Sequence, residues 1–475
     1  MSERLLRAER AWTPRGWETD AVFDVGDGRL HRRTDAAAHS GAAAASLRGR
    51  VVPGLPNLHS HAFQRAMAGL AERRSLDGAR GAAAPSAGSR DRAAPADHDS
   101  FWTWREVMYA FASRIGPDEL QAIAAQLYVE MLKAGYVQVC EFHYLHHRPD
   151  GTPYAEPAAM SLALVEAARE AGIGLTLLPT LYMTGGFDGR ALGERQRRFG
   201  HDVDAYLRLV ERLRALESPR LRVGIALHSL RAVPADAMRA VLDSGLARDR
   251  PVHVHVAEQI GEVQDCLALR DARPVEWLLD HAAVDARWCL VHATHMTDAE
   301  TRRLAASGAV AGLCPTTEAN LGDGLFPLRT YLDAGGALGV GSDSQISVSP
   351  VEELRWLEYG QRLAARRRNV AASAATPSTG ETLLALALDG GRRAAGLGDA
   401  GLPRADLLVL DDDSPLLAAC GDANAIDAWI FAGNANLVRD VYVAGERVVD
   451  DFRHRDEARI AARYRDVAAR LAAAA

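Results

Sequence analysis

Between residues 51 and 344 the chain states one theme eight times. A short apolar run rich in β-branched residues is followed by a longer segment with helical spacing. The runs are 51–58, 136–142, 174–181, 222–227, 251–256, 288–291, 309–314 and 337–341. Helical periodicity fills 120–134, 157–171, 203–216, 234–244, 261–281, 298–307 and 327–334, and a further helix, 350–368, follows the eighth run. Such alternation predicts an α/β fold, and eight units suit a parallel (β/α)8 TIM barrel. A doubly wound open sheet would give the same alternation. Polar side chains at the ends of the runs favour the barrel: His59 and His61, Tyr144, His228, His255, His292, Glu318 and Asp343. In a barrel these positions converge on one mouth, whereas in an open sheet the outermost would lie far apart.

The flanks read as a second unit. Residues 20–25 and 28–31 are strand-like, as are 405–410, 428–431, 440–443 and 446–449, the last two joined by Ala444-Gly445. These predict a small β-sandwich built from both ends of the chain, with 1–50 and 405–457 in it and the barrel over 51–404. Residues 458–475 have apolar positions at helical spacing and predict a surface helix. The segments 36–46 and 78–96 are low in complexity and lack bulk to pack, which predicts surface loops.

At 475 residues, 48% apolar and 25% charged, the chain has the balance of a globular protein. A net charge of −7 argues against wholesale binding to nucleic acid or acidic membrane. The first ten residues lack the apolar centre of a signal peptide, and no run is long enough to span a bilayer. Five scattered cysteines form no CxxC pair, which fits reduced thiols and a cytoplasmic location.

The chemistry is carried by histidine and carboxylate. His59 and His61 lie on alternate positions of an extended segment, so both face one side. A lone histidine in a core is usually a hydrogen-bonded core residue, but two on one face at a strand end point to metal. His253 and His255 also share a face. His255 is nearer the end and has Glu258 three residues on, where a carboxylate could shuttle protons. His253 reads as the deeper, supporting residue. Asp343 closes the eighth run; alone, Gly-Ser-Asp would be a turn, but here it is placed to bind metal and accept a proton from water. His292 is either a fourth ligand or a hydrogen-bonding partner of the nucleophile, with His295 competing. Of His143, His146 and His147, the last two read as a wet polar loop. A set of imidazoles and carboxylate without thiolate suits a hard or borderline cation, most simply zinc, and iron or manganese could occupy it.

These motifs resemble the amidohydrolase superfamily: HxH after strand one, His with Glu three residues later at strand five, His at strand six and Asp at strand eight. Residues 224–230 offer no lysine to bridge two metals, which resembles the mononuclear deaminase branch. Within it, Leu58-His59-Ser60-His61-Ala62-Phe63-Gln64-Arg65, Phe101-Trp102-Thr103-Trp104-Arg105, His228-Ser229-Leu230-Arg231 and Cys314-Pro315-Thr316-Thr317-Glu318 are similar to the formimidoylglutamate deiminases of histidine degradation. The resemblance implies one zinc ion per subunit on His59, His61, His255 and Asp343, with Glu258, His292 and Asp343 catalytic. It implies substrate contacts from Gln64, Arg105, Tyr144, His228 and Arg231, and a homodimer. The substrate would be a small dicarboxylate. Two arginines on separate mouth loops, Arg105 and Arg231, could each take one carboxylate through paired bonds. The rival expectations are a deaminase of guanine or another heterocycle, which would need stacking rather than an arginine pair, and an inactive barrel used as a binding protein.

Overall fold

The computed structural model describes residues 4–13, 15–33, 44–72, 99–398 and 404–473. The chain opens with β1 (Arg4–Thr13), β2 (Gly16–Gly26), β3 (Arg29–Arg33) and β4 (Ala45–Pro53). It continues through β5 (Leu55–Ser60), β6 (Tyr136–His143), β7 (Gly174–Leu181), β8 (Leu221–Val223), β9 (Ile225–Ser229) and β10 (Val252–Val256). Then come β11 (Trp288–His292), β12 (Val310–Leu313) and β13 (Ala337–Val340), and last β14 (Leu407–Leu410), β15 (Val438–Val443), β16 (Glu446–Asp450) and β17 (Arg453–His454).

Strands β5 to β13 form the parallel sheet of the barrel, in chain order, with β8 beside β7. Every residue of β5, β6 and β7 is buried, because helices cover the outside and side chains fill the inside. That is why the runs are continuously apolar rather than alternating. The first and last strands meet at the mouth. Asp343 N–H donates to the His59 carbonyl at 3.0 Å, and His61 N–H donates to the Asp343 carbonyl at 3.1 Å. The barrel thus closes through three of the candidate site residues, His59, His61 and Asp343.

The second unit is a sheet of order β17-β16-β15-β14-β4-β1-β2-β3, drawn from both ends of the chain as expected. Period two gives it two apolar faces. One encloses its own core of Leu6, Leu47, Val51, Leu407, Val409 and Tyr442. The other presents Trp12, Val52, Leu408 and Val441 to the barrel. We propose the corresponding division, 1–50 with 405–457 against 51–404, with the terminal helix Glu457–Ala473 as an appendage burying Ile460, Val467 and Leu471.

Several elements differ from expectation for identifiable reasons. The run 51–58 is two strands in two sheets. They are joined at Gly54, whose N–H donates to Asp406 and where a Cβ would lie 2.4 Å from the Val137 side chain. Strand four breaks at Gly224 into β8 and β9. The segment 261–281 is two helices, Ile260–Arg270 and Pro274–His281, split by left-handed Asp271 and by Pro274. Residues 428–431 are not a strand but the end of a helix, Asp422–Phe431; a four-residue apolar run does not distinguish the two. Helices also occupy Phe101–Ala112 (α1), Pro315–Leu321 and Thr379–Ala394. The stretch 78–96 and most of 36–46 lie outside the described residues. Among those described, no helix is long and apolar enough to cross a membrane.

Candidate metal centre and active site

Four buried side chains converge where β5, β10 and β13 end. His59, His61, His255 and Asp343 each offer a ligand atom, all within 4.8 Å of one another. His59 Nε2 lies 3.2 Å from His61 Nε2 and 3.0 Å from His255 Nε2. Asp343 Oδ1 is 3.4 Å from the first and 3.3 Å from the second. His61 Nδ1 faces the Phe142 carbonyl at 2.8 Å, and His255 Nδ1 faces the His228 carbonyl at 2.9 Å. A carbonyl only accepts, so each Nδ1 carries the hydrogen and each Nε2 presents a lone pair. Burial pushes His59 down to about 3 and also lowers His61 and His255, so the rings are neutral. Lone pairs crowded at this spacing repel one another unless a cation sits among them. Donors about 2.0–2.2 Å from one tetrahedral zinc would lie roughly 3.3–3.5 Å apart, close to what is seen. Burial alone would raise Asp343, but the hydrogen bond with His59 and the charge of nearby His292 outweigh it and hold the carboxylate below its usual range.

A buried polar network fixes these side chains. Glu141, inside β6, accepts from Ala62 N–H at 2.6 Å, Ser60 Oγ at 2.7 Å and Tyr128 OH at 3.2 Å. Asn57 donates to Ser342 Oγ at 2.6 Å and accepts from Ser342 N–H at 3.1 Å. Gln345 donates to Ser60 Oγ and to the Asp343 carbonyl, at 2.9 and 2.7 Å. The first and last barrel strands are therefore stapled behind the four-residue cluster. Asp343 and His292 adopt positive φ, 45° and 67°, turning each side chain inward as its strand ends.

Beside the cluster lies an acidic layer. His292 Nε2 is 3.8 Å from both Glu258 Oε1 and Asp343 Oδ2, while its Nδ1 is 3.3 Å from Glu318 Oε1. Burial would lower His292, but Glu258, Glu318 and Asp343 together raise it to about 10. Burial raises Glu258 to about 7 against the pull of His292. His292 stands outside the four-residue cluster and groups instead with Cys314 and Asp343 and with Glu258 and Asp323. His295 is not among the residues lining the cavity. His253 bonds the Ala394 carbonyl through Nε2 at 2.8 Å and does not reach the cluster.

The cavity above is lined by Gln64, Arg105, Tyr144, His228 and Arg231, together with Glu258, His292 and Asp343. Gln64 Nε2 donates to Tyr144 OH at 3.0 Å. Arg105 differs from expectation: it sits on α1, not on a loop, with its guanidinium 5.4 Å from the Trp102 ring and 5.1 Å from the Tyr109 ring. Capping by Ser100 and Thr103 starts that helix. Arg231 follows β9 in the loop expected. His146 and His147 are not a wet loop. His146 is buried and bonds the Thr180 carbonyl, His147 bonds the Gly200 carbonyl, and both pack near His201.

Sequence reading passed over Glu141, Tyr182, Glu262 and Asp323. Glu262 accepts from Ala257 and Glu258 N–H and so holds the turn carrying Glu258. Asp323 groups with Glu258 and His292. A charge inside an apolar strand was the available signal for Glu141, and a position just past a strand end was the signal for Tyr182.

Residues 50–448 match the Amidohydrolase family. The chain belongs to that family. It is 51% identical over 470 residues to the formimidoylglutamate deiminase of Pseudomonas aeruginosa, covering 98% of each chain. The crystal structure of an amidohydrolase from Brucella melitensis superposes with a TM-score of 0.87 at 44% identity, covering 99% of this chain and 100% of that one. An adenosine deaminase from Xanthomonas campestris with bound zinc shares the fold, with a TM-score of 0.77 at 21% identity over 99% of each chain.

Proposed function

We propose that the chain hydrolyses N-formimidoyl-L-glutamate to N-formyl-L-glutamate and ammonia, a step of histidine degradation. The observation that carries this is the 51% identity to the Pseudomonas enzyme over nearly the whole length of both chains. The cavity chemistry supports it. The substrate has two carboxylates and an amidine-like head. The cavity has two arginines, Arg105 and Arg231, together with the acidic groups of Glu258, Glu262 and Asp343.

His59, His61, His255 and Asp343 would hold the cation, one per subunit and zinc by preference. That ion supplies the Lewis acidity that makes water nucleophilic at neutral pH. Asp343 takes the proton from the attacking water. Water oxygen adds to the formimino carbon, and His292 donates a hydrogen bond to it, stabilising the tetrahedral centre. Glu258 gives a proton to the imino nitrogen as the water adds; on collapse the proton held by Asp343 passes to the same nitrogen, which leaves as ammonia, and the hydroxyl proton returns to Glu258 as the formyl carbonyl forms. Arg105 and Arg231 hold the glutamate carboxylates, with Gln64, Tyr144 and His228 completing the wall, so that the carbon lies over the floor. A cytoplasmic homodimer is the form we expect.

Ammonia release from formimidoylglutamate and from guanine, with identification of the organic product, tests the reading. Ammonia with formylglutamate is expected. Formamide with glutamate, or turnover of guanine alone, would contradict it.

A further inference from the structure

Tyr182 immediately follows β7, is 2% exposed and lines the cavity. Two donors reach its hydroxyl oxygen. Arg105 NH2 donates at 3.2 Å, and Gln196 Nε2 donates at 2.9 Å. The orientation of the Gln196 amide is not free. Its Oε1 accepts from Gly193 N–H at 3.0 Å, so the nitrogen must be the atom facing Tyr182. Both acceptor directions of the phenol are thereby used, and its own hydrogen has to point elsewhere. Among the described residues, no hydrogen bond has the Tyr182 hydroxyl as donor. A buried donor without a partner is unfavourable, and one at a cavity wall beside a guanidinium calls for an anionic acceptor.

We infer that Tyr182 is a further substrate-binding residue, donating its hydroxyl hydrogen to the carboxylate that Arg105 grips, and that Gln196 is a positioning residue that aims this hydrogen. The inference rests on the dicarboxylate reading of the site. Arg105 alone would attract any anion. Arg105 beside an oriented phenol selects a carboxylate with one oxygen for each donor. Gln196 touches no substrate; it acts through Tyr182 from a short 3-10 segment, Glu194–Phe199.

The test uses metal-loaded enzyme and three substrates: formimidoylglutamate and its two analogues lacking one or the other carboxylate. Tyr182→Phe should lower kcat/KM on formimidoylglutamate by roughly 10- to 100-fold, mainly through KM, the range for a hydrogen bond to a charged group. The penalty should persist on one analogue and vanish on the other. Gln196→Leu should raise KM by roughly 3- to 10-fold with kcat unchanged, and should add nothing once Tyr182→Phe is present. An unchanged Tyr182→Phe enzyme, or an equal penalty on both analogues, would overturn the inference. Wild-type protein inactive on formimidoylglutamate would instead overturn the proposed function. Calorimetric titration with glutarate then still reads Tyr182: weaker binding to Tyr182→Phe supports the carboxylate contact, and equal binding refutes it.

Discussion

The floor of the cavity and its wall are built by different means. The floor is made of strand ends: His59, His61, His255 and Asp343 are held by backbone bonds across the barrel seam and by the buried Glu141 and Asn57 networks. The wall is made of long side chains from a helix and connecting segments: Arg105 on α1, Tyr182 past β7 and Arg231 past β9, with Gln196 on a 3-10 segment behind Tyr182. A floor built this way can hold an ion with little reorganisation, and so it serves a reaction class. A wall built from reach and orientation can change partners while the floor stays, and so it decides the substrate.

Damage to the floor should cost the most. Asp343→Asn removes both a proposed ligand and the proposed base, and we expect turnover to fall by at least about 10³-fold with reduced metal content, read by ammonia assay and atomic emission. Glu258→Gln should separate chemistry from binding: metal is retained, while kcat drops by roughly 10²- to 10⁴-fold. Substantial turnover by that variant would remove Glu258 from proton transfer. Damage to the wall should look different. Arg105→Gln should leave the metal in place and lower kcat/KM by roughly 10- to 100-fold, chiefly through KM. Glu141→Gln tests the staple beneath the floor and should weaken metal affinity by about 10- to 100-fold.

The smallest effect sharpens the contrast by pH. Behind the wall, His146 and His147 N–H both donate to the Arg198 carbonyl, close to Gln196, and His201 packs on both rings. Burial holds His143 near 3 and His201 near 4 in the folded protein. Unfolded, each titrates near 6.5. Between those values the unfolded chain binds more protons, so stability falls as the medium is acidified, by up to about 1.4 kcal/mol per pH unit per ring. Urea midpoints at pH 7 and pH 5 check this, and His201→Gln should flatten the slope. Equal midpoints in the wild type would contradict it.

The same contrast explains what could be read from sequence. Strand ends have a period, so His59 and His61 on alternate positions, and Asp343 closing the eighth run, were visible before any coordinates. Depth is not periodic: His253 and His255 share a face, and only the Ala394 carbonyl above one and the cluster beside the other tell them apart. Arg105 was found by its string, but its helix was not, because five residues of motif do not reveal a twelve-residue helix after a low-complexity stretch. Tyr182 and Gln196 lie 14 positions apart, and their link through Gly193 exists only in three dimensions. Neither residue type is diagnostic alone.

The central claim is that one ion on three imidazoles and Asp343, faced by an arginine-bearing wall, releases ammonia from a formimino group. The direct measurement is carbon NMR of formimidoylglutamate labelled at the formimino carbon, followed with metal-loaded and chelator-stripped enzyme. The account predicts conversion to the formyl resonance of formylglutamate with one ammonia per turnover, lost on stripping and restored by zinc. Appearance of free formamide, or equal rates with and without the metal, would contradict it.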